Sequence, residues 1–229
     1  EALVLLRSAG VNLDRVCRVE ASTGCAAIAV DPAGENAIAV GSGANLFVRA
    51  SQIEDTLLAS AATLVLQMEV PALETALLIA RARVAGTKVV LNLAPAANLP
   101  EAALRAVNVL VVNKTEAGWL AGHLGCGRTA IALRDRLGGI AVVLTRGAEG
   151  ADVAGHDTEW HEPAVAVEAV DTTAAGDCFV GVLAHRLDRG ENLQSAVRRA
   201  ALAAAVCCTR HGSQGSIPTA AETDAFAME

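Results

Sequence analysis

The chain has 229 residues, a formal net charge of −7 and a hydrophobic content of 53%, which together predict a folded domain with a sizeable core. The negative charge and an aromatic content of only 2% argue against a nucleic-acid partner, which would favour basic and stacking side chains. No apolar run reaches the roughly 18 residues that a membrane span needs, so we expect no membrane partner. Six cysteines without a CxxC pair are typical of reduced thiols, and we predict a cytoplasmic protein.

The first pattern in chain order predicts a β-hairpin. Two apolar runs, at 25–30 and 37–40, flank the polar segment 31–36, which contains Asp, Pro, Gly and Asn. These residues favour turns, and apolar runs on both sides of them are typical of paired strands. We therefore expect a small hairpin that is separate from the rest of the fold.

After the hairpin, short apolar runs alternate with helical patterns. Strands are predicted at 63–66, 88–93, 109–112 and 140–145. Helices are predicted at 51–60, 73–85, 99–107, 115–124 and 129–137. Such alternation indicates βαβ units, and hence an α/β fold with a parallel sheet covered by helices on both faces. Ligands of such folds bind at the carboxyl ends of the strands.

The segment VDTTAAGDCF, at 170–179, carries the residues most suggestive of chemistry. Val165 and Val167 alternate before it and predict a strand, and a helix is predicted from Ala175 to Arg189. Small residues at the start of a helix let backbone N–H groups approach an anion, which the helix dipole also favours. Asp177 in that first turn could accept a proton from an attacking hydroxyl, although a carboxylate there could equally be only a helix cap.

Several short segments, in the same order along the chain, resemble those of the ribokinase family of carbohydrate kinases. They are GENAIAVGSGAN, LQMEVP, LNLAPA, NKTEA, VVLTRGAEG, VDTTAAGDCF and TRHGSQGSIP. The resemblance implies a three-layer αβα fold with a mostly parallel central sheet and a small β lid. It also implies that residues 1–229 form one kinase domain, with the lid hairpin at about 22–41, and that the protein is a homodimer through this lid.

The activity that the resemblance implies is phosphorylation of D-ribose by ATP at the 5-hydroxyl, giving ribose 5-phosphate. Asp177 would be the catalytic base, and Ala174, Ala175 and Gly176 would form an anion hole around the transferred phosphate. Glu69, together with Asp177, would contact the sugar. A charged residue at a strand end is also ordinary, so Glu69 has a purely structural alternative.

Further residues would bind the nucleotide and two cations if the resemblance holds. The nucleotide would contact Asn113, Thr145, Arg146, Gly147, Ala148, Glu149, Gly150 and Gly176. Mg²⁺ would be organised, through water, by Asn113 and Glu116. K⁺ would lie among Asp171, Thr173, Cys207, Arg210, Gly212 and Ser216, several of them acting through backbone carbonyls. The alternatives are a turn residue at Asn113, a helix-dipole acid at Glu116, turn glycines in the loop and a core thiol at Cys207.

The front of the family pattern is not found. The family begins with a βα unit whose Asn and Asp bind the sugar, followed by a GGxxxN segment. We therefore expect an N-terminally truncated fold with an uncovered edge strand and exposed apolar helix faces. Lys114 replaces the usual acid of the family's NETEA string, and we expect it to point outward with little effect. A kinase for another sugar or nucleoside, and a non-catalytic nucleotide-binding remnant, are the alternative functions.

Overall fold

The computed structural model describes residues 3–30 and 36–228. A short helix, α1 (Val4–Ser8), is followed by two antiparallel strands, β1 (Cys25–Val30) and β2 (Asn36–Gly41). Their register places Cys25 opposite Gly41, and they form a two-stranded sheet of their own. The predicted hairpin strands are confirmed, whereas residues 31–35 of the predicted turn lie outside the described residues.

The central sheet has six strands, whose spatial order is also their order in the chain. They are β3 (Thr63–Leu66), β4 (Lys88–Asn92), β5 (Val109–Asn113), β6 (Ala141–Thr145), β7 (Ala151–Ala154) and β8 (Glu159–Glu162). The first four pair in parallel, and β7 and β8 are antiparallel. The predicted mostly parallel sheet is therefore confirmed, and the two antiparallel strands at its end are an addition that the sequence patterns did not indicate.

Helices cover both faces of this sheet. On one face lie α3 (Ala72–Ala85), α4 (Glu101–Leu104), α5 (Lys114–Leu124) and α6 (Ala130–Arg136). On the other lie α7 (Ala175–Asp188) and α8 (Leu193–Cys208). Two further helices, α2 (Asp55–Ser60) and α9 (Ala220–Phe226), pack against α3 and α8 respectively. Successive strand residues alternate between the faces, so Leu110 joins the first core cluster and Val111 the second. This is the three-layer αβα arrangement.

Three sequence predictions about secondary structure are wrong in whole or in part. The helix predicted at 51–60 is only α2 at 55–60, and a 3-10 turn at Ala50–Gln52 precedes it. No strand contains Val165 and Val167, because residues 163–169 have no regular secondary structure. Pro163 follows β8 directly and has no N–H to donate to a ladder, which explains why the strand pattern is not used. The helix predicted at 99–107 is only the four-residue α4. Extended Pro100 sets its start, and the chain must leave the helix early to enter β5 at Val109.

The expected uncovered surfaces are present. β3 is an edge strand of the six-stranded sheet, and the side of Val65 is open, with 47% of the residue exposed. On α3, Leu73 and Val84 are 67% and 90% exposed. Across the described ranges, no helix has both the length and the apolar character required to cross a membrane.

The buried core makes a first prediction about stability. Leu110 is completely buried in the central strand β5, so Leu110→Ala should leave a cavity and lower the free energy of unfolding by about 2–5 kcal/mol. Val84→Ala is the matched control, because it removes apolar atoms from a side chain that is almost fully exposed. Urea denaturation of the three proteins checks this. Equal stability of the two variants would contradict the central position of β5 in the core.

Candidate active site

The carboxyl ends of the parallel strands bring the predicted site segments to one edge of the sheet. Met68, in the loop after β3, donates its N–H to the carbonyl of Ala94, in the loop after β4, at 3.0 Å. Asn113 at the end of β5 is the direct ladder partner of Thr145 at the end of β6. The Leu93 N–H, just after β4, also donates to the Val111 carbonyl of β5 at 3.0 Å. The ends of the four parallel strands therefore lie side by side at one edge, as expected for a ligand site of an α/β sheet.

Glu69 lies at this edge, in the exposed loop between β3 and α3. Its backbone N–H donates to the side-chain oxygen of Gln67, which fixes the local turn. The structure thus places Glu69 beside the other loops of the edge. Its contact with a sugar stays a prediction.

Asn113 and Glu116 form a reciprocal cap at the start of α5. Asn113 Oδ1 accepts from the Glu116 N–H at 2.9 Å, and Glu116 Oε2 accepts from the Asn113 N–H at 2.7 Å. Asn113 Nδ2 also donates to Glu116 Oε1 at 2.8 Å. Burial raises the pKa of the Glu116 carboxyl, and the backbone hydrogen bond from Asn113 partly opposes this. A nearby cation would favour the charged form of such a buried carboxylate.

This pair fits a magnesium ion held through water better than one bound directly. Both carboxylate oxygens of Glu116 already accept one hydrogen bond each, which leaves only part of their acceptor capacity for direct coordination. Mg²⁺ keeps several waters and needs few protein ligands. Within the part of the chain that the structure describes, no group of three or more acidic, His or Cys side chains forms a metal cage.

The loop after β6 holds a tight backbone conformation. Thr145 ends the strand, and a short 3-10 turn follows at Gly147–Glu149. Gly150 has φ +87°, and a Cβ there would lie 2.1 Å from the carbonyl oxygen of Glu162. Gly150 is therefore required by the close approach of the end of β8. Its place in this loop has a structural reason whether or not a nucleotide binds.

A chain of charged side chains fastens this loop on both sides. Lys114, the first residue of α5, forms an ion pair with Glu149. Arg146 bonds the same carboxylate at 2.5 Å and Asp152 of β7 at 2.8 Å, and Asp152 contacts His161 Nδ1 of β8 at 2.7 Å. Hydrogen bonds from Lys114, and then from Arg146, lower the pKa of Glu149. The sequence analysis expected Lys114 to point outward with little effect; its side chain is about half exposed but pairs with Glu149. Sequence reasoning missed Asp152 and His161, for which the three-residue spacing of the charges at 146, 149 and 152 was the available signal.

The start of α7 has the features of an anion-binding helix end. Ala174, the N-cap residue, has a left-handed conformation with φ 61°, and among the described residues no side chain caps the helix. The N–H of Ala175 points back to the Thr172 carbonyl at 3.3 Å. Gly176 faces open space, because a Cβ there would meet nothing within 4 Å. The N–H groups of Gly176 and Asp177, in the first turn, are therefore suited to an anion, and the predicted places of Ala174 and Ala175 in the anion hole stay predictions.

Asp177 lies toward the same sheet edge as the strand-end loops. Leu187 and Gly190, at the far end of α7, line a cavity together with Lys88 and Val109, which begin β4 and β5. Because the end of the helix lies at the amino ends of the strands, its start lies toward their carboxyl ends. Asp177 is exposed on one side, but the surrounding protein desolvates its carboxylate and raises its pKa.

The segment around Asp171 draws together the residues predicted to surround a potassium ion. Asp171 Oδ1 accepts from the Thr173 N–H at 2.9 Å, and Oδ2 accepts from the Gly212 N–H at 3.0 Å. Hydrogen bonds from Thr173 and Gly212 hold the pKa of Asp171 at about 2. The carboxylate therefore stays ionised, which is favourable beside a cation.

The remaining members of this group are joined through Cys207. Its buried thiol lies 3.2 Å from Ser216 Oγ and 3.8 Å from the Thr173 carbonyl oxygen, and its own carbonyl accepts the Arg210 N–H at 3.2 Å. The Arg210 side chain turns away to Glu222, at 2.8 Å. Backbone carbonyls and one ionised carboxylate are hard oxygen donors, so the set fits an alkali cation and not a soft metal.

Asp171 makes a prediction about the pH dependence of stability. Its folded pKa of about 2 is below the ordinary 3.8, so its contribution is present above 3.8 and is lost as pH falls toward 2. Asp171→Asn turns an NH₂ group toward one of two backbone donors and should lower the melting temperature at neutral pH. The difference from the unaltered protein should shrink steeply as pH falls from 3.8 and disappear below 2.

Thermal unfolding followed by circular dichroism across this pH range is the measurement. Asp157→Asn, in the exposed turn between β7 and β8, is the control and should change little. A difference between the Asp171 variant and the unaltered protein that persists unchanged at pH 2 would refute this role of the carboxylate.

Comparison with known proteins agrees with this geometry. Residues 1–220 match the pfkB family carbohydrate kinases. Ribokinase of Staphylococcus aureus is 35% identical, with 90% of this chain and 70% of that protein covered. The crystal structure of ribokinase from Thermotoga maritima is similar at 32% identity and a TM-score of 0.83, over 93% of this chain and 72% of that one. Ribokinase from Cryptococcus neoformans in complex with ADP is similar at 28% identity and a TM-score of 0.81, over 96% and 77%. The chain belongs to the pfkB family of carbohydrate kinases.

Proposed function

We propose that the protein transfers the γ-phosphate of ATP to the 5-hydroxyl of D-ribose, forming ribose 5-phosphate and ADP. The observation that carries the proposal is the start of α7, where Asp177 follows the open, uncapped N–H of Gly176 at the edge that also holds the loop after β6. Similarity to ribokinases over most of the chain supports ribose as the acceptor. The ADP-bound relative supports nucleotide binding.

The chemistry follows from this arrangement. The Asp177 carboxylate accepts the proton of the sugar hydroxyl as that oxygen forms its bond to the γ-phosphorus. The bond between the γ-phosphorus and the β-phosphate oxygen breaks, and ADP leaves with the electron pair. The N–H groups of Gly176 and Asp177 donate to the equatorial oxygens of the transferred phosphoryl group, and Glu69 orients the sugar. Phosphoryl transfer needs chiefly such positioning and charge stabilisation from the protein.

Two cations would complete the site. Mg²⁺ supplies neutralisation of the triphosphate charge, and Asn113 and Glu116 would hold its water ligands. K⁺ would be held by Asp171 and by backbone oxygens of Thr173, Cys207, Arg210, Gly212 and Ser216. Since Asp171 joins the loop before α7 to Gly212, a cation at this point would keep the anion-binding turn in place.

The nucleotide would lie along the loop from Thr145 to Gly150. The backbone of this loop follows β6 directly. The ladder pair of Asn113 and Thr145 places the loop beside the end of β5, where Asn113 and Glu116 would organise the phosphates. Arg146, Ala148 and Glu149 would line this surface together with the loop glycines. The ribose and ATP phosphates would then meet between this loop, the start of α7 and the loop after β3.

Catalysis by Asp177 makes a direct prediction. The assay measures ADP formation in the presence of ribose, ATP, Mg²⁺ and K⁺. In it, Asp177→Asn should lower kcat about 100- to 10,000-fold, because the base acts in the transition state. Affinity for an ATP analogue, measured by calorimetry, should change little. As pH is lowered, the unaltered enzyme should begin to lose activity at a higher pH than it would with an aspartate of ordinary pKa. The reason is that the pKa of Asp177 is raised and the base must be deprotonated.

Asp188→Asn is the control for this experiment, because Asp188 is exposed at the other end of the same helix. If Asp177→Asn kept most of its rate, Asp177 would not be the base. Turnover of another sugar or a nucleoside, but not ribose, would favour a different kinase of the family. Binding of the ATP analogue with no turnover of any acceptor would favour a non-catalytic nucleotide-binding protein.

We further propose that residues 1–229 form one kinase domain in the cytoplasm, with the β1–β2 hairpin as a lid through which two copies associate. Val40 in β2 is 58% exposed, and Leu46 and Phe47 expose apolar side chains shortly after it. Exposed apolar side chains on and after the hairpin support association at this place. Exposed, unpaired thiols at Cys17 and Cys25 suit a reducing compartment.

Association through the hairpin is tested with Val40→Asp, which puts a charge on the exposed side of β2. Sedimentation velocity should give a dimer for the unaltered protein and a monomer for the variant. Leu73→Asp, on the exposed side of α3, is the control and should remain dimeric. A monomer at high concentration of the unaltered protein would end the lid-mediated dimer proposal.

A further inference from the structure

One ion pair joins the two segments that would handle ATP in the proposed kinase. Lys114 directly follows Asn113, the last residue of β5, and it begins α5. Its ammonium group pairs with Glu149, which lies 35 positions later in the loop after β6. Among the described residues, this ion pair links α5 to the loop, in addition to the ladder pair that joins Thr145 to Asn113.

The opposite side of the loop is fastened independently. Arg146 bonds Glu149 and also Asp152 in β7, which contacts His161 in β8. Glu149 therefore lies between two cations, one from the β7 side and one from α5. Removing Lys114 would leave the loop attached to the antiparallel strands, and its link to β5 would then rest on the contacts of Thr145 with Asn113 and Val112.

Charge gives Lys114 a second effect. Glu149 is an ionised carboxylate, because hydrogen bonds from Lys114 and Arg146 lower its pKa. A triphosphate that arrives at this edge brings several negative charges, which an unpaired carboxylate in the loop would repel. Lys114 and Arg146 together balance the two carboxylates of Glu149 and Asp152, so the group is neutral. Without Lys114 this group becomes negative, and with an acid in its place it becomes more negative still.

We propose that Lys114 is a positioning residue for the nucleotide: through Glu149 it holds the loop 145–150 against the end of β5 and cancels a negative charge that would repel a polyphosphate. The inference rests on the proposed function, because it assumes that ATP binds along this loop. Lys114 acts through Glu149 and not by touching the nucleotide. It therefore differs in kind from Asp177, whose carboxylate meets the reacting atoms.

The chain provides a matched control, since it contains only two lysines, Lys114 and Lys88. Lys88 begins β4, at the amino edge of the sheet and away from the loop. Lys114→Glu should raise both KM for ATP and the dissociation constant of an ATP analogue on the order of tenfold, with kcat and KM for ribose within about twofold. Lys114→Arg should bind nucleotide like the unaltered protein, and Lys88→Glu should show neither change.

A double-mutant cycle separates action through Glu149 from direct contact. Lys114→Gln alone should raise KM for ATP about two- to fivefold, the range that an exposed ion pair supports. In a Glu149→Gln background the same change should add less than a further twofold. An undiminished effect in that background would mean that Lys114 touches the nucleotide itself, and would overturn the inference.

Calorimetry with an ATP analogue keeps the two proposals distinguishable. If the unaltered protein binds ATP and phosphorylates ribose while Lys114→Glu matches it, the proposed function stands and the role of Lys114 is wrong. If the unaltered protein binds no ATP, both proposals fall.

Unfolding curves of each variant should coincide with that of the unaltered protein, because both partners of the pair are about half exposed. A Lys114→Glu variant whose weak ATP binding simply follows lost stability would also count against the positioning role.

Discussion

The parallel hydrogen-bonded ladder of β3 to β6 is the constraint on which the site depends. Parallel pairing carries each strand end to the same edge, and the ladder pair of Asn113 and Thr145 fixes the height at which two of the loops begin. A shift of one residue would move Asn113 from its place opposite Thr145 and exchange the side chains of β5 between the two helix layers. Residues Val109 to Val112 are all buried, so each would have to pack in space shaped for other side chains, and the core therefore also positions the site.

The site then assembles from backbone groups more than from side chains. The N–H groups at the start of α7 and the carbonyls around Cys207 are fixed by helices α7 and α8, whose buried faces lie on the sheet. Asp171 joins the turn before α7 to the loop after α8, because its carboxylate accepts from the N–H groups of Thr173 and Gly212. A carboxylate saturated in this way stays charged and rigid, whereas Asp177, which lacks such donors, keeps a raised pKa and remains able to accept a proton.

Sequence patterns predicted the parallel strands and most helices closely, because each has a local signal. The strand at 63–66 agrees with the structure at both ends, and the helix predicted at 73–85 differs by one residue. The antiparallel strands ADVA and EWHE carry mixed charge and no strand-like alternation, and they form because β6 offers them an edge. The pattern at Val165 and Val167 misled for the converse reason, since no neighbouring strand remains beyond β8.

The sequence by itself determined the family, the alternation of strands and helices, and the identity of Asp177, Gly176, Asn113 and Glu116 as the candidate catalytic and phosphate-binding residues. These depend on neighbouring residues and on short segments in a recognisable order. Only the tertiary structure decided the contacts between distant parts of the chain. Asp171 and Gly212 are 41 positions apart, and Lys114 and Glu149 are 35 apart. Such pairs meet because the sheet and its helices close the long loops between them, and no local pattern encodes which surface charges will then face each other.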